Sequence, residues 1–196
     1  FSFTAAQRRA VGDILTDFSS SKPMNRLLQG DVGSGKTVVA AAAAWCCAKN
    51  GKQAALMAPT GILAEQHFRT LAPLLSGFGI STLLLTGSMG AAAKRDAKHA
   101  IAEGKAQLVI GTHALLTGDV SFSNLDLVIA DEQHRFGVGQ RAALSAKAEN
   151  PHLLVMSATP IPRTLALILY GDLDLSIIDE LPPGRMGIDT FLVNES

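Results

Sequence analysis

Residues 30–37 read Gly-Asp-Val-Gly-Ser-Gly-Lys-Thr and complete the pattern G-x-x-x-x-G-K-S/T. A loop of this composition holds phosphate. Gly30, Gly33 and Gly35 let backbone N–H groups turn inward around an anion, and a helix starting just after them adds its partial positive charge. The whole loop, including Asp31, Val32 and Ser34, is therefore assigned to nucleotide binding, with Lys36 reaching the β- and γ-phosphates and the Thr37 hydroxyl on Mg²⁺. A second group, Asp131-Glu132-Gln133-His134, ends an apolar stretch. There the first carboxylate can hold Mg²⁺ and the second can polarise an attacking water. Alone, such a pair can equally cap the segment that follows. Together with the loop it makes Lys36, Asp131 and Glu132 catalytic candidates, with His134 beside them, although taken alone His134 reads as a capping or core histidine. Ser157-Ala158-Thr159-Pro160 supplies small hydroxyl residues that can bond Asp131 or His134, and can also serve as a helix cap.

The elements that must carry these groups are legible as alternation. Residues 26–29 can end a strand before the loop, and residues 38–49, rich in Ala without Gly or Pro, can continue as a helix after it. Residues 54–58, 82–85, 108–110, 127–130 and 153–156 read as buried strands. Residues 62–75, 91–103 and 140–148 have helix-forming composition. Such alternation implies βαβ crossovers and an α/β fold, a parallel sheet covered by helices on both faces. Ligands of such sheets bind at the carboxyl ends of the strands. Three further loops at that edge carry Thr60, Thr86 and Thr112. Each can be an ordinary cap; together they suggest a groove that tracks a phosphate backbone through neutral hydroxyls.

Composition narrows the classes. With 17 basic and 17 acidic residues the formal charge is zero, so no general attraction draws nucleic acid or an anionic membrane. The longest apolar run, residues 38–47, is too short to span a bilayer, and no membrane partner is expected. Cys46 and Cys47 have no metal-ligand spacing and read as buried free thiols in a reducing compartment. The chain opens at Phe1 without a secretory signal and reads as a piece of a longer cytosolic, and so cytoplasmic, protein.

The order of phosphate loop, Asp-Glu-x-His and Ser-Ala-Thr resembles motifs I, II and III of superfamily-two helicases and translocases. Residues 26–29 leading into the loop, 131–138 (Asp-Glu-Gln-His-Arg-Phe-Gly-Val), 160–165 (Pro-Ile-Pro-Arg-Thr-Leu) and 179–185 (Asp-Glu-Leu-Pro-Pro-Gly-Arg) resemble the RecG family of bacterial ATP-dependent DNA helicases over essentially the whole chain. Transcription-repair coupling factors share the Arg135-Phe136-Gly137-Val138 stretch but usually carry a second Glu where this chain has Gln133-His134. The chain also departs from the RecG pattern at Gly61, where Glu is usual.

The resemblance implies a P-loop NTPase of RecA-like fold. Residues 1–178 would be a first RecA-like helicase domain, and residues 179–196 a linker towards a second motor domain of the same parent. It implies ATP and Mg²⁺ as cofactors and branched or duplex DNA as the partner of the full-length protein, in recombination and repair, with little activity in the fragment alone. It further implies adenine stacking by Phe1 and base-edge hydrogen bonds by Gln7. His134 would couple nucleotide state to the second domain or to the Ser157 and Thr159 segment, and the DNA-tracking motifs would fall on the Thr60, Thr86 and Thr112 loops. No role attaches to Arg135, Gln140, Arg141 or Arg163, and Lys94, Arg95 and Lys98 read as a solvated helix face. A self-contained P-loop switch or small-molecule kinase is the competing class, and a nucleotide-free interaction module the third. The paired Asp131 and Ser157 motifs argue against the former, and intact Lys36, Thr37 and Asp131 against the latter.

Overall fold

A computed structural model describes residues 2–131, 147–148, 150–159 and 173–180. In chain order the elements are α1 (Ala5–Phe18), β1 (Asn25–Gly30), α2 (Lys36–Lys49), β2 (Gln53–Met57), α3 (Gly61–Ser76), β3 (Thr82–Leu85), α4 (Ala91–Ala102) and β4 (Leu108–Gly111). A one-turn 3-10 helix (His113–Leu116), β5 (Leu125–Asp131), β6 (His152–Ser157) and β7 (Asp174–Ile178) follow. The expected strands form within a residue or two at each end. The expected helix at 140–148 lies outside the described residues, apart from Lys147 and Ala148, which form a turn and a bend.

All described strand pairs are parallel, in the order β3-β4-β2-β5-β6-β1-β7. Side chains alternate across the pleat and so build a core on each face of the sheet. Leu28, Ala54, Leu56, Ile110, Ile129 and Met156 share one with α1, α2 and α3; Ala55, Met57, Val109 and Val128 share the other with α4 and the 3-10 turn. The sheet is thus covered on both faces, as expected for a RecA-like domain. The Ala-rich sequence of α2 has a tertiary use. Ala40, Ala41, Ala43 and Ala44 are buried, and their small side chains let the helix lie close to β1, β2 and β5 between α1 and α3. That close seat holds the loop at its N-terminus in a fixed place.

Two elements were not among those expected from the sequence. Helix α1 starts at a capping box, in which the Thr4 hydroxyl accepts from Gln7 N–H while the Gln7 side chain accepts from Thr4 N–H. Strand β7 is a short edge strand with alternating exposure, paired with β1. Buried Arg26 of β1 ties both to the sheet. Its guanidinium makes two bonds to Asp17 of α1, at 2.6 and 3.0 Å, and one to Ser176 of β7 at 2.9 Å. Burial pulls the pKa of Arg26 down, but the bonds and charge of Asp17, with Asp13 and Asp174, outweigh it and leave the group above its ordinary value. Asp179 and Glu180, the first two residues of the expected linker, are also tied to α1. Asp179 pairs with Arg9 at 2.9 Å, and the Glu180 carboxylate accepts from Ala6 N–H at 3.2 Å, where the helix dipole favours negative charge.

Both thiols are free; Cys47 is buried as expected, and burial first of all pushes it up to about 12, whereas Cys46 is only half-buried, on the side of α2 nearer solvent. Among the described residues no helix is long and apolar enough to cross a membrane.

At the start of β6, His152 accepts from Met24 N–H through Nδ1 at 2.8 Å and packs against Phe18. Burial lowers its pKa below the ordinary value, against the pull of Asp126 and Asp17. The fold therefore favours the neutral ring, whereas the unfolded chain takes up a proton near the ordinary histidine value of about 6.5. Above that value the group leaves stability unchanged; below it, stability falls until the depressed folded value is reached. Melting temperature is expected to drop as pH falls below about 6.5, and His152→Asn, which keeps an acceptor without a titration, to flatten the drop. An unchanged slope in the variant would place the acid sensitivity elsewhere.

Candidate functional site

The phosphate loop runs from the end of β1 to the start of α2, and two of its glycines are required by contact. A Cβ on Gly30 would meet Ser34 Oγ at 2.6 Å and the Ile178 carbonyl at 3.0 Å. Gly35 has φ +91° as the N-cap of α2, and a Cβ there would sit 2.3 Å from Gln7 Nε2. Unlike α1 and α3, whose first turns are capped by Thr4 and Thr60, α2 begins without a side-chain cap. Its first N–H groups and its positive dipole end are left to the loop. Lys36 curls back over the same loop, its Nζ donating to the Gly30 carbonyl at 2.6 Å and the Asp31 carbonyl at 3.0 Å. Ser34 is 1% exposed, yet its hydroxyl has no hydrogen-bond partner among the described residues. An uncapped helix start, an ammonium on the loop and a buried unsatisfied hydroxyl form a donor set that fits a polyphosphate. Thr37 is the second residue of α2 and half-buried.

Gln7, expected at the base, braces this loop. It is 2% exposed; its Nε2 donates to the Ser34 carbonyl at 2.8 Å and its Oε1 accepts from Thr4 N–H at 3.0 Å. One amide proton and one lone pair remain beyond these bonds. No local pattern pointed to this brace, because the loop lies 27 residues away.

Asp131 closes β5, two strands from β1. It is in register with Met156 of β6, which is in register with Leu28 of β1. At about 4.8 Å per strand, β5 and β1 lie about 10 Å apart, so the carboxylate and the loop share one edge. Ser157, paired with Gln29, lies between them. The sequence offered Asp131 or His134 as partners for the hydroxyls of Ser157 and Thr159. Among the described residues Ser157 Oγ accepts from Thr159 N–H at 3.2 Å and lies 3.1 Å from Thr159 Oγ1, while His134 lies outside them. Asp131 is held by a residue the motifs did not mark: His67 of α3, whose Nε2 lies 2.5 Å from Asp131 Oδ2. No spacing rule connects positions 64 apart. Phe1, Glu132 and His134, with Gln133, Arg135, Gln140, Arg141 and Arg163, lie outside the described residues.

The threonine loops follow β2, β3 and β4, which are neighbours at one end of the sheet, while the loop, Asp131 and Ser157 belong to β1, β5 and β6. Their hydroxyls differ. Thr60 is exposed and caps α3 by accepting from Leu63 N–H at 3.3 Å. Thr86 is 2% exposed, with its hydroxyl 3.0 Å from that of Ser88, so Ser88 carries the exposed hydroxyl of that loop. Thr112 is half-buried and starts the 3-10 turn without a side-chain cap bond.

With this edge defined, three comparisons are informative. The chain is 54% identical over 198 residues to the ATP-dependent DNA helicase RecG of Aquifex aeolicus, covering 100% of this chain and 25% of that protein. It is 56% identical over 190 residues to the protein of the same description from Streptococcus pneumoniae, covering 97% of this chain and 28% of the other. A solved structure of RecG bound to a three-way DNA junction superposes with TM-score 0.81 at 49% identity, over 96% of this chain and 25% of that one. The resemblance to the first motor domain of RecG is therefore upheld, and the chain spans about a quarter of the length of these relatives. The model of the family described as DEAD/DEAH box helicase matches residues 4–168. That match runs from the cap of α1 past the end of β6 and takes in the whole nucleotide edge, so the chain belongs to the DEAD/DEAH box helicase family.

Proposed function

We propose that the chain is the ATP-binding first motor domain of a RecG-like DNA helicase, one that couples hydrolysis to the remodelling of branched DNA with a second RecA-like domain of the same parent. The observation that carries this reading is Lys36 lying over the uncapped start of α2, on the same sheet edge as Asp131. In this reading the loop N–H groups and Lys36 bind the phosphates, and Thr37 and Asp131 hold Mg²⁺. When bound, the metal offsets phosphate charge. Glu132 takes the proton of the attacking water, Gln7 steadies the loop and serves the base edge, and Phe1 stacks on the base. Ser157, Thr159 and His134 pass the nucleotide state onward. The β2, β3 and β4 loops, through Thr60, Thr112 and the Thr86–Ser88 hydroxyl pair, touch one strand's phosphate backbone without reading bases. DNA is supported as partner by the related RecG solved on a three-way junction. A cytoplasmic location goes with this reading.

Calorimetric titration tests it directly. The 196-residue chain is expected to bind Mg·ADP, and Lys36→Ala to weaken binding by roughly 10- to 100-fold, the loss of a charge-assisted contact. Equal affinities in both proteins would sink the assignment.

A further inference from the structure

The side chain that the motifs leave unused and the structure places closest to the chemistry is His67. It lies in the second turn of α3 and is 9% exposed, and its Nε2 meets Asp131 Oδ2 at 2.5 Å. The two side chains are 11% and 16% exposed, so the bond is largely shielded from water. We propose that His67 is a positioning residue for the metal-binding carboxylate, an inference that rests on the nucleotide reading above.

The chemistry follows from the donor inventory. An ionised carboxylate only accepts, so the hydrogen of this bond sits on His67 Nε2. Donation to Oδ2 fixes the rotamer of Asp131 and leaves Oδ1 for a metal ion or its water. Asp131 needs such a support because it is the last residue of β5, where the strand ladder stops restraining the chain. Among the described residues His67 is the side chain that bonds it. The support comes from a rigid element. Helix α3 directly follows β2, which pairs with β5 up to Met57 opposite Ala130, and it is seated against α2, β3 and β4. Partners that orient a metal ligand from behind are typically worth roughly 10- to 100-fold in metal affinity.

The test measures metal binding apart from turnover. In the 196-residue chain with ADP, Mn²⁺ uptake is followed by electron paramagnetic resonance for the wild type, His67→Leu, His67→Gln and Asp131→Asn. His67→Leu is expected to raise the Mn²⁺ half-saturation point by roughly 10- to 100-fold. ADP affinity measured in chelator is expected to stay unchanged. His67→Gln, whose amide N–H reaches near the Nε2 position, is expected to recover most of the loss. A half-saturation point within about twofold of wild type in His67→Leu, or a Gln variant as impaired as Leu, would overturn the proposal. If Asp131→Asn shifts the half-point and His67→Leu does not, this inference fails while the nucleotide reading stands. If the wild type shows no Mn²⁺ uptake with ADP, both fail. Should the Leu variant not fold, the wild-type imidazole nitrogen spectrum decides. The His67 Nε2–H signal is expected to move when Mg²⁺ is added to the ADP complex, and an unmoved signal would overturn the assignment.

Discussion

Glu132→Gln is expected to lower DNA-stimulated ATP turnover of the full-length parent by roughly 10²- to 10⁴-fold while leaving nucleotide affinity intact. The amide has nearly the shape of the carboxylate and so preserves binding, but it cannot accept the proton of the attacking water. The position is argued from its neighbour. Asp131 ends β5 on the edge that holds the phosphate loop, and Glu132 is the next residue of the chain. Asp131→Asn is expected to act differently, by weakening the response to Mg²⁺, because it alters a candidate metal ligand. A steady-state ATPase assay with DNA, run beside Mg·ADP calorimetry, separates the two. Near-normal turnover in Glu132→Gln would remove Glu132 as the base.

The second large effect concerns what the chain does alone. Residues 1–196 are expected to hydrolyse ATP slowly and to unwind nothing, and the second motor domain proposed above to raise the rate by roughly 10³- to 10⁵-fold, the worth of a transition-state arginine. The described arginines are engaged elsewhere. Arg26 is buried in its bonds to Asp17 and Ser176 near the start of β1, at the opposite end of the strand from the loop. Arg9 pairs with Asp179, Arg8 donates to the Phe3 carbonyl, and Arg69 and Arg95 lie beside Glu65 and Asp96. Single-turnover hydrolysis by this chain, with and without DNA, checks the expectation. Brisk DNA-stimulated hydrolysis would favour the self-contained NTPase.

What the sequence determined by itself is what contiguous residues can enforce. Gly30 and Gly35 are readable because a close backbone approach and a positive φ exclude a Cβ wherever the rest of the chain lies. The strands at 54–58, 108–110 and 127–130 are readable because a parallel strand buried on both faces needs an unbroken apolar run. β7 escaped for the converse reason. As an edge strand it leaves Asp174 and Ile177 exposed and carries no such run. The tertiary structure alone decided who meets whom. β1 lies between β6 and β7, far along the chain, and this pairing separates the phosphate edge from the threonine loops. It also made the three threonines unequal, burying Thr86 against Ser88 while leaving Thr60 exposed. His67 on Asp131 and Gln7 on Ser34 join segments that no local period relates. A loop's backbone requirements are written in its own residues, whereas a side chain's partner depends on strand order and on where each crossover helix comes to rest.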